Sequence, residues 1–248
     1  MQYQGGKAKS ARRIAAAIRN ATRATRIHEP FMGGASVTCA LAPLFEVVSA
    51  GDANPALIAM WRAARDGWRP ELADITREQF QAAKALPDSD PLKALILVGC
   101  SFGGRWGTSP AIGPNSDSPN TYAQIACAHI ARQGALLDKS CVCLHAQNYT
   151  VALEAAAPGE AVYCDPPYAD TAGYGGPMVD DAHFSHEEFW ALCEATARRG
   201  VDVFVSEYTI PAGVPGQALL TLDRAVTVAK NDNRAKRVEF LWHIPARA

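Results

Sequence analysis

The sequence predicts an α/β fold: a mostly parallel sheet with crossover helices, a helical insert and a C-terminal antiparallel hairpin. Three observations carry this. Helix-like and strand-like periodicities alternate through the first 70 residues. A short apolar strand, AVYC, runs into Asp165-Pro166-Pro167-Tyr168. Two further apolar segments near the end, DRAVTVAK and RVEFLWHI, are joined by the polar turn NDNRAK.

Taken in order, residues 10–24 read as a helix, with Ser10 placed to cap it and Ile14 and Ile18 at helical spacing. RIHEPF, residues 26–31, reads as a strand entering the turn MGGAS, and VTCALAPLF begins a helix that stops near Pro43. EVVSAGD, residues 46–52, is a strand ending in an acid. PALIAMWRAARDG is a helix with Pro55 in its first turn and Gly67 beyond its end. Residues 71–85 and 91–100 are helical pieces, followed by a Gly-, Pro- and Ser-rich loop over 101–118 that holds Phe102, Arg105 and Trp106. A loop of that length in a compact domain is usually functional. Helical periodicity returns over 120–138, then come CVCLH (141–145), the AVYC strand, a helix over 185–199 capped by Ser185 with Glu188 at N3, and the strand VDVFVSEY (201–208).

Composition excludes several classes. With 248 residues, 48% hydrophobic and 20% charged, the chain has ordinary globular usage and length enough to bury a core without staples. No window reads as a membrane span, and MQYQGGKAKSARR has no apolar run after its basic residues, so no secretory signal is expected. Seven cysteines without a C-x-x-C pair fit free thiols in a reducing compartment. The net charge is −1, yet Lys7, Lys9, Arg12, Arg13, Arg19, Arg23 and Arg26 all precede the first acid, and Arg224, Lys230, Arg234, Lys236 and Arg237 cluster near the other end. Such runs are either solvated surface or a local polyanion-binding face.

Asp165-Pro166-Pro167-Tyr168 carries the most specific chemistry. It sits at the C-terminal end of a strand, where open α/β sheets place ligands. The proline after Asp165 keeps its backbone extended, and two fixed φ angles hold the segment rigid. A carboxylate and a carbonyl, both acceptors, followed by an aromatic plate suit a planar ring bearing an exocyclic NH2; a rigid turn is the plain alternative. Gly33 and Gly34 form a turn after the first strand that allows close backbone approach. Asp52, at the tip of the next strand about 20 residues on, has the spacing of a ribose-binding acid; Asp52 or Asn54 could instead cap the following helix. Cys141, Cys143 and His145 alternate along one strand face, too far apart for easy tetrahedral closure, so no metal is expected and they read as small core residues. His183 and His186 flank a helix start and read as capping or surface groups.

These residues resemble the Dam-like (D12 class) DNA adenine-N6 methyltransferases. Tyr3-Gln4-Gly5-Gly6-Lys7 is similar to that family's aromatic-x-GGK element, Pro30 to Ala35 to its P-F-x-G-x-G loop with Ala35 in place of the last glycine, Asp52-Ala53-Asn54-Pro55 to its D-x-N element, and Asp165 to Tyr168 to its DPPY site. The resemblance spans residues 3 to about 208. It implies a Rossmann-like methyltransferase sheet from residues 1–65 and 139–248, with 66–138 inserted as a short DNA target-recognition segment. It implies S-adenosylmethionine (SAM) as cofactor, held by Tyr3, Lys7, Phe31, Gly33, Asp52 and Asp165, with Asn148 and Tyr149 near its adenine. It implies catalysis at Asp165, Pro166, Pro167 and Tyr168 on an adenine flipped out of double-stranded DNA. Arg12, Arg13, Arg105 and Trp106 are the expected DNA contacts. A monomer without an obligate protein partner, cytoplasmic in a bacterium or encoded by its phage, completes the expectation. Two alternatives stay open: an amino methyltransferase acting on cytosine N4 or on RNA, and a non-enzymatic nucleic-acid-binding protein with a vestigial SAM fold.

Overall fold

A computed structural model describes residues 3–115, 118–138, 142–168, 184–222 and 238–247. In chain order the elements are α1 (Ala11–Ala21), β1 (Arg26–Glu29), α2 (Ser36–Leu41), β2 (Val47–Asp52), α3 (Pro55–Arg65), α4 (Arg77–Ala83), α5 (Pro91–Ala94), α6 (Tyr122–Asp138), β3 (Val142–Ala146), α7 (Tyr149–Ala155), β4 (Ala161–Cys164), α8 (His186–Arg198), β5 (Asp202–Glu207), β6 (Gln217–Leu222) and β7 (Glu239–Ile244). A π-helical turn, Leu95–Gly99, continues α5.

Among the described residues, seven strands form one sheet in the order β3-β2-β1-β4-β5-β7-β6. The first five run parallel; β7 is antiparallel to both β5 and β6. This is the mostly parallel sheet with an antiparallel C-terminal pair that the sequence predicts. The order reverses between β1 and β4, so the crevice beyond their C-terminal ends is the topological switch point where such sheets bind ligands.

Alternation along the strands assigns two cores. In β4, Ala161 and Tyr163 face a cluster containing Ile14, Ile18, Leu41, Trp61 and Ile130 from α1, α2, α3 and α6. Val162 and Cys164 face the opposite cluster, with Leu153 of α7 and Phe189, Trp190 and Cys193 of α8. Residues 75–123 contribute a third, small cluster of Ile75, Phe80, Ala83, Ile96, Leu97, Cys100 and Ala123. The N-terminal part of α6 touches this small core and the rest of the helix packs in the main one.

Helix starts obey the residues expected of them in most places. Asn54 accepts from the backbone N–H of Ala56 and Leu57, with Pro55 next, and the Ser185 hydroxyl accepts from Glu188 N at 3.2 Å. Thr76 and Gln79 make a reciprocal capping box on α4. Ser10 differs: its backbone is already near-helical and its hydroxyl donates to Lys7 O at 3.3 Å, so it makes no side-chain cap. The β3 expectation also needs correction. Val142 and Leu144 point inward while Cys143 is exposed and His145 half-buried, because the alternation has the opposite phase from a Cys/His core face. Cys141, His183, the segment DRAVTVAK and the basic cluster over 224–237 lie outside the described residues; the partner of β7 is seen as β6, residues 217–222.

The α3–α6 contact depends on one glycine. A Cβ added at Gly134 would lie 2.5 Å from Ala64 O and 2.8 Å from Ala64 Cβ. Gly134→Ala gains helix propensity of about 1 kcal/mol. That is outweighed, because the obstacle is a helix backbone that cannot rotate away. The expected net loss is about 1–3 kcal/mol, read as a lower midpoint in urea; a midpoint at or above wild type refutes it.

Candidate active site

A cleft of about 420 Å³ opens at the switch point, lined from the N-terminal segment, the turn after β1, the end of β2, the start of α7 and the end of β4. The volume lies in the range of small-molecule sites. Of the residues expected to hold a cofactor, Tyr3, Lys7, Phe31, Gly33, Asp52 and Asp165 all line it, and Asn148 and Tyr149 join them.

The turn after β1 is held from three sides. Met32 N donates to Gly51 O at 2.8 Å, which ties it to β2. Asp52 accepts from Gly33 N at 3.1 Å through Oδ2 and from Asn54 N at 2.9 Å through Oδ1. Trp61 of α3, fully buried, donates its indole N–H to Gly33 O at 2.9 Å. The glycines serve a contact within the protein: a Cβ at Gly33 (φ +43°) would fall 2.6 Å from Tyr3 Cε1, so bare backbone lets the Tyr3 ring close the turn. The departure at Ala35 is conformational more than steric, since Ala35 takes φ +58° and ψ 13°, a left-handed geometry that costs an alanine about 1–2 kcal/mol and a glycine nothing comparable.

Apolar walls face an acidic floor. Phe31 stacks on Tyr149 with centroids 5.4 Å apart, and Phe184 sits edge-on to Phe31 at 6.2 Å. Among the described residues, Glu29, Asp52, Asp165 and Glu188 line the cleft against one ammonium, Lys7. Burial pushes the Asp52 carboxyl up to about 6, with its two backbone donors pulling the other way. Burial also holds Glu29 well above the usual carboxylate range, with Asp165 and Asp52 adding repulsion. Glu29 is 2% exposed; Thr38 stands beside it, but among the described residues its Oε2 makes no hydrogen bond of normal geometry.

At the end of β4 the geometry departs from expectation. Lys7 Nζ lies 2.7 and 2.8 Å from the two oxygens of Asp165, 3.3 Å from Glu239 Oε1, and against the Tyr168 hydroxyl. That hydroxyl is in turn 2.7 Å from Asp165 Oδ1 and 3.0 Å from Glu239 Oε1. Tyr168 is 4% exposed, its ring 5.0 Å from that of Tyr208. It is therefore not presented to the cleft as a stacking plate; Pro167 and Asp165 are what the DPPY segment shows there. The reason is that its hydroxyl is drawn into the charged cluster. Sequence pattern does not single out Glu239 or Trp61, which stand in the segments RVEFLWHI and PALIAMWRAARDG as ordinary strand and helix residues, and it shows Glu29 only as the residue before the Pro-Phe-Met-Gly turn.

Elsewhere, Arg12 and Arg13 are exposed on the first turn of α1, Arg13 donating to Thr221 O at 3.2 Å. Arg105 is exposed, whereas Trp106 packs between the main and small cores and acts as an anchor of its loop. The loop is pinned to the cleft: Gln4 N donates to Gly104 O at 3.2 Å. It displays Phe102, 68% exposed, between Ser101 and two glycines with positive φ. Among the described residues no cluster of three metal-ligating side chains occurs, and no helix is long and apolar enough to cross a membrane.

Fold and cleft define the class: an α/β protein with a small-molecule-sized cleft at the switch point of a mostly parallel sheet. Residues 3–89 match the family model described as D12 class N6 adenine-specific DNA methyltransferase. That segment carries Tyr3, Lys7, Phe31, Gly33 and Asp52 and ends before Asp165. No curated protein matches the chain. Among solved structures, the chain is similar to the rRNA methyltransferase aviRa from Streptomyces viridochromogenes, at 15% identity and TM-score 0.41, covering 94% of this chain and 84% of that one. It is also similar to an rRNA methylase from Streptococcus thermophilus, at 10% identity and TM-score 0.41, covering 94% of each. Nothing about substrate passes from likenesses at this level.

Proposed function

We propose that the chain transfers a methyl group from SAM to N6 of an adenine in double-stranded DNA. The observation that carries this is the Asp165 carboxylate, 18% exposed at the end of β4, opening into the same acidic cleft as Asp52 and the Gly33 turn. The cleft fits SAM by its donor set. Asp52 offers carboxylate lone pairs to ribose hydroxyls, Phe31 and Tyr149 offer flat apolar walls, and a surplus of carboxylates over ammonium suits a ligand of net positive charge. When bound, SAM supplies an electrophilic methyl on a sulfonium. Tyr3 and Gly33 shape the turn beside it, and Lys7 lies across the cleft floor. An adenine amine is a weak nucleophile because its lone pair is delocalised into the ring. A hydrogen bond from N6 to Asp165 localises that pair as charge develops, and the rigid prolines fix the approach. Nucleoside mass spectrometry of DNA treated with enzyme and SAM tests the reading: N6-methyladenine supports it, while N4-methylcytosine, or methylation of RNA alone, refutes it.

Asp52 gives a pH test. Only its ionised form accepts from two hydroxyls, and its carboxyl titrates at about 6 in the ligand-free protein. SAM affinity should therefore be level above that pH and fall by up to about tenfold per unit below it, measured by calorimetry between pH 5 and 8. Asp52→Asn should bind weakly and lose most of this dependence. Folding runs the other way: with the folded value above the ordinary aspartate value of 3.8, ionising Asp52 costs stability as pH rises between the two.

In this reading residues 66–138 form the DNA target-recognition segment, and its DNA-facing part is the loop around Phe102 and Arg105. Arg12 and Arg13 supply phosphate contacts on the neighbouring first turn of α1. Phe102→Ala should weaken DNA binding by about 1–3 kcal/mol, the range for a ring stacked on a base, and leave SAM affinity unchanged. Arg12→Ala with Arg13→Ala should instead weaken all duplexes alike and flatten the salt dependence. Equal salt slopes for the wild type and the arginine variant would place the phosphate contacts elsewhere.

A further inference from the structure

Glu239 has no part in the chemistry described so far, yet it is 1% exposed and built into the charged cluster. It opens β7, whose antiparallel pairing with β5 brings it opposite the end of the sheet that carries Asp165. There one ammonium faces two carboxylates: Lys7 Nζ stands 2.7 Å from Asp165 and 3.3 Å from Glu239. The Tyr168 hydroxyl sits between the same two carboxylates, at 2.7 and 3.0 Å, with a single hydrogen to give. Each of these two donors thus has two carboxylates within reach, at distances that differ by less than an ångström.

The arrangement seen is the wrong one for activating an amine. With Lys7 against both oxygens, the charge of Asp165 is compensated and its best lone-pair directions are taken. We propose that Glu239 is a positioning residue: when the target amine docks on Asp165, Glu239 takes over the Lys7 ammonium, so that Asp165 keeps its negative charge toward the amine. This rests on the reading of Asp165 as amine acceptor. Glu239 itself touches no reacting atom. The Tyr168 hydrogen accompanies the shift by turning to whichever carboxylate the ammonium leaves less satisfied. Two buried carboxylates around one ammonium also explain why the movement is small: each already contributes to holding Lys7, and only the balance changes.

The test is the methyl-transfer rate of the full chain on unmethylated genomic DNA at saturating SAM, with SAM affinity measured separately. Glu239→Gln should lower kcat by about tenfold to a hundredfold, with SAM affinity and the DNA KM within about twofold of wild type. Glu239→Asp should recover part of that rate. The decisive variant adds Lys7→Met to Glu239→Gln. If Glu239 acts by drawing the ammonium off Asp165, removing the ammonium raises kcat above that of Glu239→Gln alone. A purely structural Glu239 predicts a further fall, and that result overturns the proposal. So does a Glu239→Gln rate within about twofold of wild type. Should Glu239→Gln fold poorly, the comparison of Lys7→Met with the double variant decides: equal rates support the proposal and a further large drop refutes it. A wild-type chain that binds SAM but leaves DNA adenine unmethylated refutes the Asp165 reading itself.

Discussion

Asp165→Ala is expected to abolish methyl transfer to DNA. The amine loses a charged acceptor at the moment its nitrogen gains positive charge, a loss on the order of 3 kcal/mol or more, so at least about a hundredfold in rate. The structure adds a second consequence. Lys7 loses its nearest carboxylate and is left to Glu239. Asp165→Asn separates the two effects, because it keeps the shape and one acceptor while removing the charge; it should be severely slowed but fold as the wild type. Incorporation of labelled methyl into DNA is the measurement, with thermal melting as the folding control. An Asp165→Ala enzyme that keeps a tenth of the wild-type turnover would take the amine off this carboxylate.

Much of this site is legible in the sequence because its groups lie on strand ends and turns whose residue types are forced. β2 and β4 read as strands from their apolar content and β1 from its place before the glycine turn, and each leads into a turn with little freedom: Gly33-Gly34, Asp52-Ala53-Asn54-Pro55, Asp165-Pro166-Pro167. In a parallel sheet those three ends meet at one edge, so motifs far apart in sequence converge without any knowledge of side-chain contacts. The parts that stay hidden depend on pairing across the sheet. Glu239 begins a strand like many others, and only the antiparallel return of β7 brings it to Lys7. Trp61 reads as one more apolar residue on the buried face of α3, yet its indole N–H fixes the Gly33 carbonyl. The strand β6, QALLTL, gives little signal because it alternates weakly: Gln217, Ala218 and Thr221 are exposed, Leu219 and Leu220 are half-buried against the main core, and Leu222 is buried. The short helix α7 is hidden for a similar reason. With seven residues it has too few turns for a periodicity to show, and it forms because Asn148 caps it and Ala152 and Leu153 are buried, Leu153 in the core shared with α8.

Tyr168 is where local pattern and tertiary structure disagree most, and it supplies the sharpest stability prediction. As an aromatic plate, Tyr168 would tolerate phenylalanine with little loss, since the ring carries the function. In the structure the hydroxyl is the engaged part: Lys7, Asp165 and Glu239 all reach it, inside a site where water cannot substitute. Hydrogen bonds to charged groups contribute about 1.5–3 kcal/mol each, and a buried charge that loses a partner costs at the upper end of that range. Tyr168→Phe should therefore destabilise the fold by about 3 kcal/mol, lowering Tm by roughly 6–12 °C in a chain of this size. Tyr168→Ala should cost more, because it also empties a ring-sized space beside Tyr208. The rate should track the hydroxyl too, falling in Tyr168→Phe even at saturating SAM and DNA, because Lys7 and Asp165 lose the group that holds their relative positions. Urea unfolding and single-turnover kinetics on the two variants decide between the views. Wild-type stability and wild-type rate in Tyr168→Phe would mean that the hydroxyl is idle and that the ring, turned out of its buried seat, stacks on the target base after all.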